Sequence, residues 1–357
     1  MEINLGERKI GDGHPTYIIA EIGSNFDGNF NRAKYLIDLA KESGADSVKF
    51  QYFLSPQIIC VEGFQGNSSF QSNWKKTVAE VYKDAEFPRG WQEALISHSQ
   101  ETGIDFSSSP YDKSAVDLMN RNEIPYIKIG SGEITNLSFL KYVARIGKPI
   151  FLGTGASNLD EIREAVKAIK EEGNNQIVLL QCVTNYPSPH HDANIRAMQT
   201  LREEFGCLVG YSDHTNDPGD VVPLGAVALG ASVIEKHFTD DRKRTGPDHP
   251  FAMDFNQFKD MIQRIKVLEN ALGTGEKIVY ASELKTRVLQ RRCVHTSKDI
   301  LAGATLSESD LEILRPAPEN SVLPKHYGFA IGKKLNRDLK KGDPLRYKDF
   351  FKCLNLN

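Results

Sequence analysis

The sequence predicts an α/β chain: a closed parallel (β/α)8 barrel of the TIM type, followed by a small C-terminal β-rich domain. Three observations carry this reading. Eight short apolar, β-branched runs recur between Tyr17 and Phe238. Helical patterns or longer insertions separate them, the alternation that closes a parallel barrel. In the tail that rhythm stops and one short pattern occurs twice. An open doubly wound sheet is the rival arrangement, and no G-x-G-x-x-G follows the first run to support it.

In order, the runs are "YIIAEIG" from Tyr17, "DSVKFQ" from Asp46, "IDFSSS" from Ile104, "YIKIGS" from Tyr126, "PIFLGTG" from Pro149, "IVLLQCV" from Ile177, "CLVGYSD" from Cys207 and "VIEKHF" from Val233. Between the first two, "NFNRAKYLIDLAKESG" places Ala33, Leu36, Ile37 and Ala40 on one stripe and ends at Gly44, which suits a left-handed C-terminal residue. "SNLDEIREAVKAIKEEG" opens with Ser157 or Asn158 as cap, carries acids in its first turn and stops at Gly173. We read residues 1–275 as the barrel, 276–291 as a linker and 292–357 as the small domain.

Composition narrows the partners. The chain has 357 residues, 47 acidic and 44 basic, so no general pull toward nucleic acid or an anionic membrane is expected. The N-terminus shows no secretory pattern and no run is long enough to span a bilayer. Cys60, Cys182, Cys207, Cys293 and Cys353 are odd in number, far apart and without a CxxC pair, which suggests reduced thiols in the cytoplasm.

Polar residues gather where barrel enzymes keep their sites, at the C-terminal ends of strands. Glu21, Lys49, Gln51, Ser109, Lys128, Ser131, Glu133, Thr154, Tyr186, Ser212, His214, Glu235 and His237 all end or follow predicted strands. Each alone fits a structural role; a ring of them implies a polar pocket, because buried charges need partners. In "VIEKHF", alternation turns Val233, Glu235 and His237 to one side and Ile234, Lys236 and Phe238 to the other. Lys236 then lies in the barrel-helix layer, where it needs a salt bridge. His214 and His237 end neighbouring strands and suit a divalent metal pair, or equally a hydrogen-bonding histidine beside a core one. Lys49 and Lys128 with Ser109 and Ser131 suit an anion cradle, although Lys49 can also simply neutralise Glu21.

The tail repeats itself. "DILAGATLSESDL" from Asp299 and "DLKKGDPLRYKDF" from Asp338 match at Asp, Gly, Leu and Asp with one constant offset, as two copies of a small unit about a pseudo-dyad would. Between them Arg315 stands in the Pro-rich "ILRPAPEN" and reads as a surface cation until a ligand is named.

The motifs "AEIGSNFDG", "VKFQ", "YIKIGSGEITN", "TNYPSP", "GYSDHT", "EKHFT" with "GPDHPFAMD", and "LRP" in a duplicated small domain resemble the sialic acid synthase family. That family, the N-acetylneuraminate synthases, includes legionaminic and pseudaminic acid synthases and spore-coat polysaccharide relatives. The resemblance runs through both domains in order. It implies a barrel followed by an antifreeze-like (SAF) domain, a domain-swapped homodimer, and a divalent metal, usually Mn2+, with Mg2+ or Co2+ as other candidates. The implied reaction joins phosphoenolpyruvate, an N-acetylated hexosamine aldehyde and water into a nine-carbon 2-keto sugar acid and phosphate. Carried onto matching positions, His214 and His237 hold the metal and take part in catalysis. Lys49, Ser109, Lys128, Ser131 and Ser212 bind phosphoenolpyruvate. Glu21, Gln51, Tyr186 and Asp248 serve the sugar or the proton transfers, and Arg315 the N-acetyl group across the dimer. From the chemistry itself, a carboxylate is wanted for the proton transfers, and Glu21 or Glu133 suits that role where burial adjusts its pKa.

Departures fall at Phe26, where the family often has His, at Gly153, where many members have Ser, and in "RPAPEN". Thr154 is a candidate to replace the missing hydroxyl, and the insertion "CVEGFQGNSSFQSNWKKTVAEVY" a candidate lid. These bear on the amino sugar more than on the reaction class. A Schiff-base aldolase using Lys128 is another enzyme reading. A non-catalytic carbohydrate-binding barrel is opposed by the intact Lys49, Lys128, His214 and His237.

Overall fold

In the computed structural model, which describes residues 1–60 and 76–351, each of the eight apolar runs forms a strand. These are β1 (Tyr17–Gly23), β2 (Ser47–Tyr52), β3 (Asp105–Pro110), β4 (Ile127–Ile129), β5 (Ile150–Gly153), β6 (Ile177–Gln181), β7 (Leu208–Asp213) and β8 (Val233–His237). All are parallel, chain neighbours are sheet neighbours, and β8 returns to pair with β1, Val233 opposite Tyr17 and His237 opposite Glu21. The seam lies between β3 and β4, where no strand ladder runs. There the Ser107 hydroxyl donates to the Tyr126 carbonyl at 2.7 Å. The architecture is a nearly closed TIM-type barrel wrapped by helices.

The helices form where the pattern placed them. Phe30–Ser43 buries Ala33, Leu36, Ile37 and Ala40; Asn29 caps its start and Gly44, at φ 95°, ends it. In Leu159–Glu171 the cap is Asn158, which accepts from Asp160 and Glu161 backbone amides while Glu161 reaches back. Ile18, Ala20, Ile22, Ile234 and Phe238 face these helices and build the outer core.

The barrel interior has its own apolar layer. Tyr17, Ile19, Tyr126, Phe151, Val178, Leu180, Leu208 and Val233 pack together, with Tyr126 stacked on Phe151 at 4.2 Å between ring centres. A hairpin absent from the sequence reading, Glu2–Leu5 paired with Arg8–Gly11, adds Ile3, Leu5 and Ile10 to this layer and plugs the N-terminal end. Its four-residue strands are too short for alternation to stand out. With that end filled, any interior space belongs to the C-terminal end.

Lys236 has the partner its place demanded. It is 1% exposed in the barrel-helix layer, and its Nζ lies 2.6 Å from Asp213 Oδ2 on β7 and 2.6 Å from the Thr215 carbonyl. Removing either partner of such a buried pair strands a charge, at a cost of roughly 3–5 kcal/mol.

The chain divides into two compact units, Met1–Gly273 and Thr274–Asn357. In the second, Cys293–Thr296 pairs antiparallel with Leu311–Leu314, and the internal repeat is physical. Ile300 and Leu339 exchange backbone hydrogen bonds of 2.8 Å in both directions, Gly303 and Gly342 both adopt φ 84°, and Asp310 and Asp349 accept from the amides of Ser307 and Arg346. These pairs share the offset seen in the sequence. Helix Leu284–Gln290 falls within the stretch read as a linker. Among the described residues, no helix is long and apolar enough to cross a membrane. The candidate lid from Cys60 to Tyr82 lies for the most part outside the described residues.

Candidate active site

At the C-terminal end of the barrel, alternation aims Glu21, Lys49, Gln51, Ser109, Lys128, Ser212, Glu235 and His237 into one cavity, which Ser131, Tyr186 and His214 also line. Lys49 is its hub. Its Nζ lies 2.7 Å from Glu21 Oε2, 3.2 Å from Ser109 Oγ and 3.8 Å from Glu235 Oε1. Lys128 Nζ lies 3.3 Å from Glu235 Oε1, which also accepts from Ser212 Oγ at 2.8 Å. Gln51 donates to Glu21 Oε1 at 2.6 Å. All four charged groups are at most 5% exposed, and they persist there because they neutralise one another.

The two glutamates behave differently. Burial pushes the Glu235 carboxyl up, but Lys128, Lys49 and the Ser212 hydroxyl outweigh it and hold it down at about 2, so it is ionised throughout the physiological range. Burial also pushes Glu21 up; Lys49 opposes this and the fixed negative charge of Glu235 reinforces it, leaving Glu21 raised. Carboxyls pushed apart in this way divide into a permanent charge and a proton carrier.

The histidines stand side by side, ring centres 5.5 Å apart. His214 Nδ1 lies 2.6 Å from the Val183 carbonyl, so it carries the proton and leaves Nε2 as a lone pair. Burial, and then His237, lowers the His214 imidazole to about 3, keeping it neutral. His237 Nδ1 is buried and faces Asp248 Oδ2 at 3.4 Å without a well-formed hydrogen bond. Neutral, oriented imidazoles are what a divalent ion needs from its nitrogen ligands. Among the described residues no group of three His, Cys, Asp or Glu side chains forms a ligand set; the two imidazoles stand as a pair. Glu235 binds Lys128 and Ser212 and does not orient His237; the Val183 carbonyl and Asp248 face the histidines.

A second chamber joins this one. It is lined by Ser24, Phe53, Tyr82, Pro247 and Asp248, and shares Gln51, Tyr111, Tyr186 and His237 with the inner cavity. Tyr186 packs against His214 at 4.2 Å and Phe251 against His237 at 4.9 Å between ring centres. The site is thus a polar inner pocket under a larger, partly aromatic vestibule.

Glu133, Thr154 and Phe26 do not line the cavity. Glu133 is on the turn after β4, where burial raises its carboxyl, but it does not line the cavity. Thr154 donates its hydroxyl to the Leu180 carbonyl at 3.0 Å, so it replaces no cavity hydroxyl. Gly153 has a different reason: a Cβ there would stand 2.7 Å from Ser131 Oγ, and glycine leaves that hydroxyl room to accept from Gly155 N. Phe26 sits in an aromatic cluster with Phe50, Phe87 and Trp91, away from the cavity. Arg315 belongs to the second unit, exposed, with Nε donating to the Gln290 carbonyl at 2.7 Å. Sequence reasoning missed Tyr111, Phe251 and the role of Cys182, which lines the cavity 3.1 Å from Ser131 Oγ. Cys182 was detectable, since it continues the inward alternation of Val178 and Leu180.

Strand-end ammonium groups, a fixed and a titrating carboxyl, and two imidazoles around one cavity define a barrel enzyme that handles a small anionic substrate. Comparison with known proteins narrows this. The NeuB family model matches residues 36–277 and the SAF domain model residues 291–350. The chain is 38% identical to the N,N'-diacetyllegionaminic acid synthase of Legionella pneumophila, over 96% of this chain and 97% of that protein. It is 34% identical to the pseudaminic acid synthase of Campylobacter jejuni serotype O:2, over 94% and 96%. The crystal structure of N-acetylneuraminic acid (sialic acid) synthetase from Leptospira borgpetersenii, in complex with citrate, superimposes with a TM-score of 0.71 at 34% identity, covering 80% of this chain and 95% of that one. The chain belongs to the NeuB family and is an enzyme of the sialic acid synthase type.

Proposed function

We propose that the enzyme condenses phosphoenolpyruvate with the open-chain aldehyde of an N-acetylated hexosamine, adding water and releasing phosphate to give a nine-carbon 2-keto sugar acid. The observation that carries this is the inner cavity itself: two buried ammonium groups with three hydroxyls, set beside one titrating carboxyl and two imidazoles. Lys49 and Lys128, with Ser109, Ser131 and Ser212, hold the phosphate and carboxylate of phosphoenolpyruvate. Gln51, Tyr186 and Asp248 hold the acceptor in the vestibule. C3 of phosphoenolpyruvate attacks the aldehyde carbon, forming the C–C bond, and the aldehyde oxygen takes up a proton. Water adds at C2, and the C2–O bond to phosphate breaks. Glu21 takes one proton from that water and delivers it to the aldehyde-derived oxygen, and the other leaves with phosphate as the C2 carbonyl forms; the raised carboxyl of Glu21 suits this role and Glu235, held ionised, does not. Glu133, outside the cavity, is the weaker candidate.

His214 and His237 would hold a divalent ion, Mn2+ or else Mg2+ or Co2+, and that ion would polarise the aldehyde. N-acetylmannosamine or a close relative is the acceptor on this reading. A 2,4-diacetamido-trideoxyhexose, giving a legionaminic or pseudaminic acid, is the alternative acceptor, and the names of the relatives above are consistent with it without ranking it first. Arg315 reaches the acceptor's N-acetyl group from a partner subunit of a domain-swapped homodimer, working in the cytoplasm.

The test is phosphate release from phosphoenolpyruvate with N-acetylmannosamine, its 6-phosphate and two 2,4-diacetamido sugars, before and after EDTA. Metal-dependent release with at least one of them is expected, and loss of it in His237→Ala. Undiminished turnover after EDTA would remove the metal from the account; no release with any acceptor would remove the function.

A further inference from the structure

The loop from Asp241 to Met253 carries two groups onto His237, the Asp248 carboxylate beside Nδ1 and the Phe251 ring in a T-shaped contact with the imidazole. Between them His249 turns the other way and is fully buried. Its Nε2 lies 2.9 Å from Asp27 Oδ1, in the turn after β1, and its Nδ1 lies 2.7 Å from Thr239 Oγ1, just after β8. One tautomer satisfies the whole chain. A carboxylate only accepts, so Nε2 carries the proton and donates to Asp27; Nδ1 then accepts from the Thr239 hydroxyl, whose oxygen accepts from Asp241 N at 3.3 Å. The arrangement of hydroxyl, imidazole and carboxylate resembles a nucleophile triad, but Thr239 is completely buried and lines neither chamber. It is a clamp.

The glycines around it are shaped for this clamp. A Cβ on Gly246 would stand 2.7 Å from His249 Cδ2, and a Cβ on Gly23, at φ 54°, would stand 2.9 Å from Asp248 Oδ2. In "GPDH", then, Gly246 clears the His249 ring, Pro247 lines the vestibule, Asp248 faces His237, and His249 ties the loop to both the first and the last strand end.

We propose that His249 is the positioning residue for Asp248 and Phe251: through Thr239 and Asp27 it fixes the loop that aims both groups at His237. This rests on the reading of His237 and Asp248 given above. Residues that orient a site from behind typically change ligand affinity or activity by about 10- to 100-fold when lost. The positioning role predicts that loss of the clamp raises the amino-sugar KM by about tenfold. The phosphoenolpyruvate KM, set by the lysines across the cavity, should stay near its original value.

The experiment uses Thr239→Val, which removes one hydroxyl at nearly constant volume, beside His249→Phe and His249→Gln in the full-length protein. Two measurements are made: the two substrate KM values, and trypsin cleavage after Lys243 or Arg244 in the same loop, followed by mass spectrometry with the melting temperature alongside. Expected are an acceptor-specific rise in KM and faster cleavage at those two positions in Thr239→Val and His249→Phe. In His249→Gln, whose amide still donates to Asp27, both effects should largely be reversed. Unchanged cleavage and unchanged acceptor KM in Thr239→Val would overturn the inference, as would equal losses for both substrates that merely track the melting temperature. A wild-type enzyme without turnover would refute the function instead, and the cleavage pattern would still decide the clamp.

Discussion

Glu21 and Glu235 are the same residue type on adjacent strands, one ionised at every working pH and the other held above the ordinary carboxylate value of 4.5. The difference is electrostatic: Glu235 faces two ammonium groups and a hydroxyl, whereas Glu21 shares Lys49 with it. If Glu21 takes a proton from water it must be deprotonated, so kcat/KM should fall as pH drops through its raised value. The acid limb should therefore lie above pH 4.5. Glu21→Gln should remove that limb and slow turnover on the order of 10²- to 10⁴-fold. A pH profile of the variant with the wild-type acid limb would show that another group carries the proton. At this scale the charged residues were legible, because a Lys or Glu at the end of an apolar strand has no bland explanation once seven others keep it company. Tyr111 and Phe251 were not, because an aromatic side chain reads the same whether it packs a core, walls a pocket as Tyr111 does, or backs a histidine as Phe251 does.

Among elements, the eight strands could be read because each is a short β-branched run between helical patterns, while the plugging hairpin could not. Its apolar residues, Ile3, Leu5 and Ile10, are too few to show a period, and what recruits them is the tertiary gap at the barrel floor. The turn after β4 and the end of β5 show how closely elements meet at the site. Gly153 exists to clear Ser131, so Gly153→Ala should push that hydroxyl out of place, with an overpacking cost of typically 1–3 kcal/mol. The phosphoenolpyruvate KM should rise with the acceptor KM little changed, as steady-state kinetics on both substrates would show. An unaltered phosphoenolpyruvate KM would mean that Ser131 is not part of the anion cradle. This glycine was noticed in the sequence only as a departure; its cause needed the neighbouring turn in place.

For the whole molecule, the internal repeat in the tail became two units that share the Ile300–Leu339 backbone pair, and this was legible because glycines and capping aspartates recur at one spacing. What that unit contributes to the reaction is carried by Arg315 in the proposed account. Arg315→Ala should raise the acceptor KM about tenfold, the loss of one charge-assisted hydrogen bond, and leave phosphoenolpyruvate binding intact. Unchanged kinetics would free the small domain from any part in acceptor binding.

The central claim is that the barrel mouth breaks the C–O bond of phosphoenolpyruvate after joining its C3 to an aldehyde. Phosphoenolpyruvate labelled with ¹⁸O at the bridging position tests this most directly, with the released phosphate read by mass spectrometry in the presence of Mn2+ and an N-acetylated acceptor. The label should leave in phosphate. Label retained in the keto acid, or a borohydride-trapped pyruvate adduct on Lys128, would contradict it.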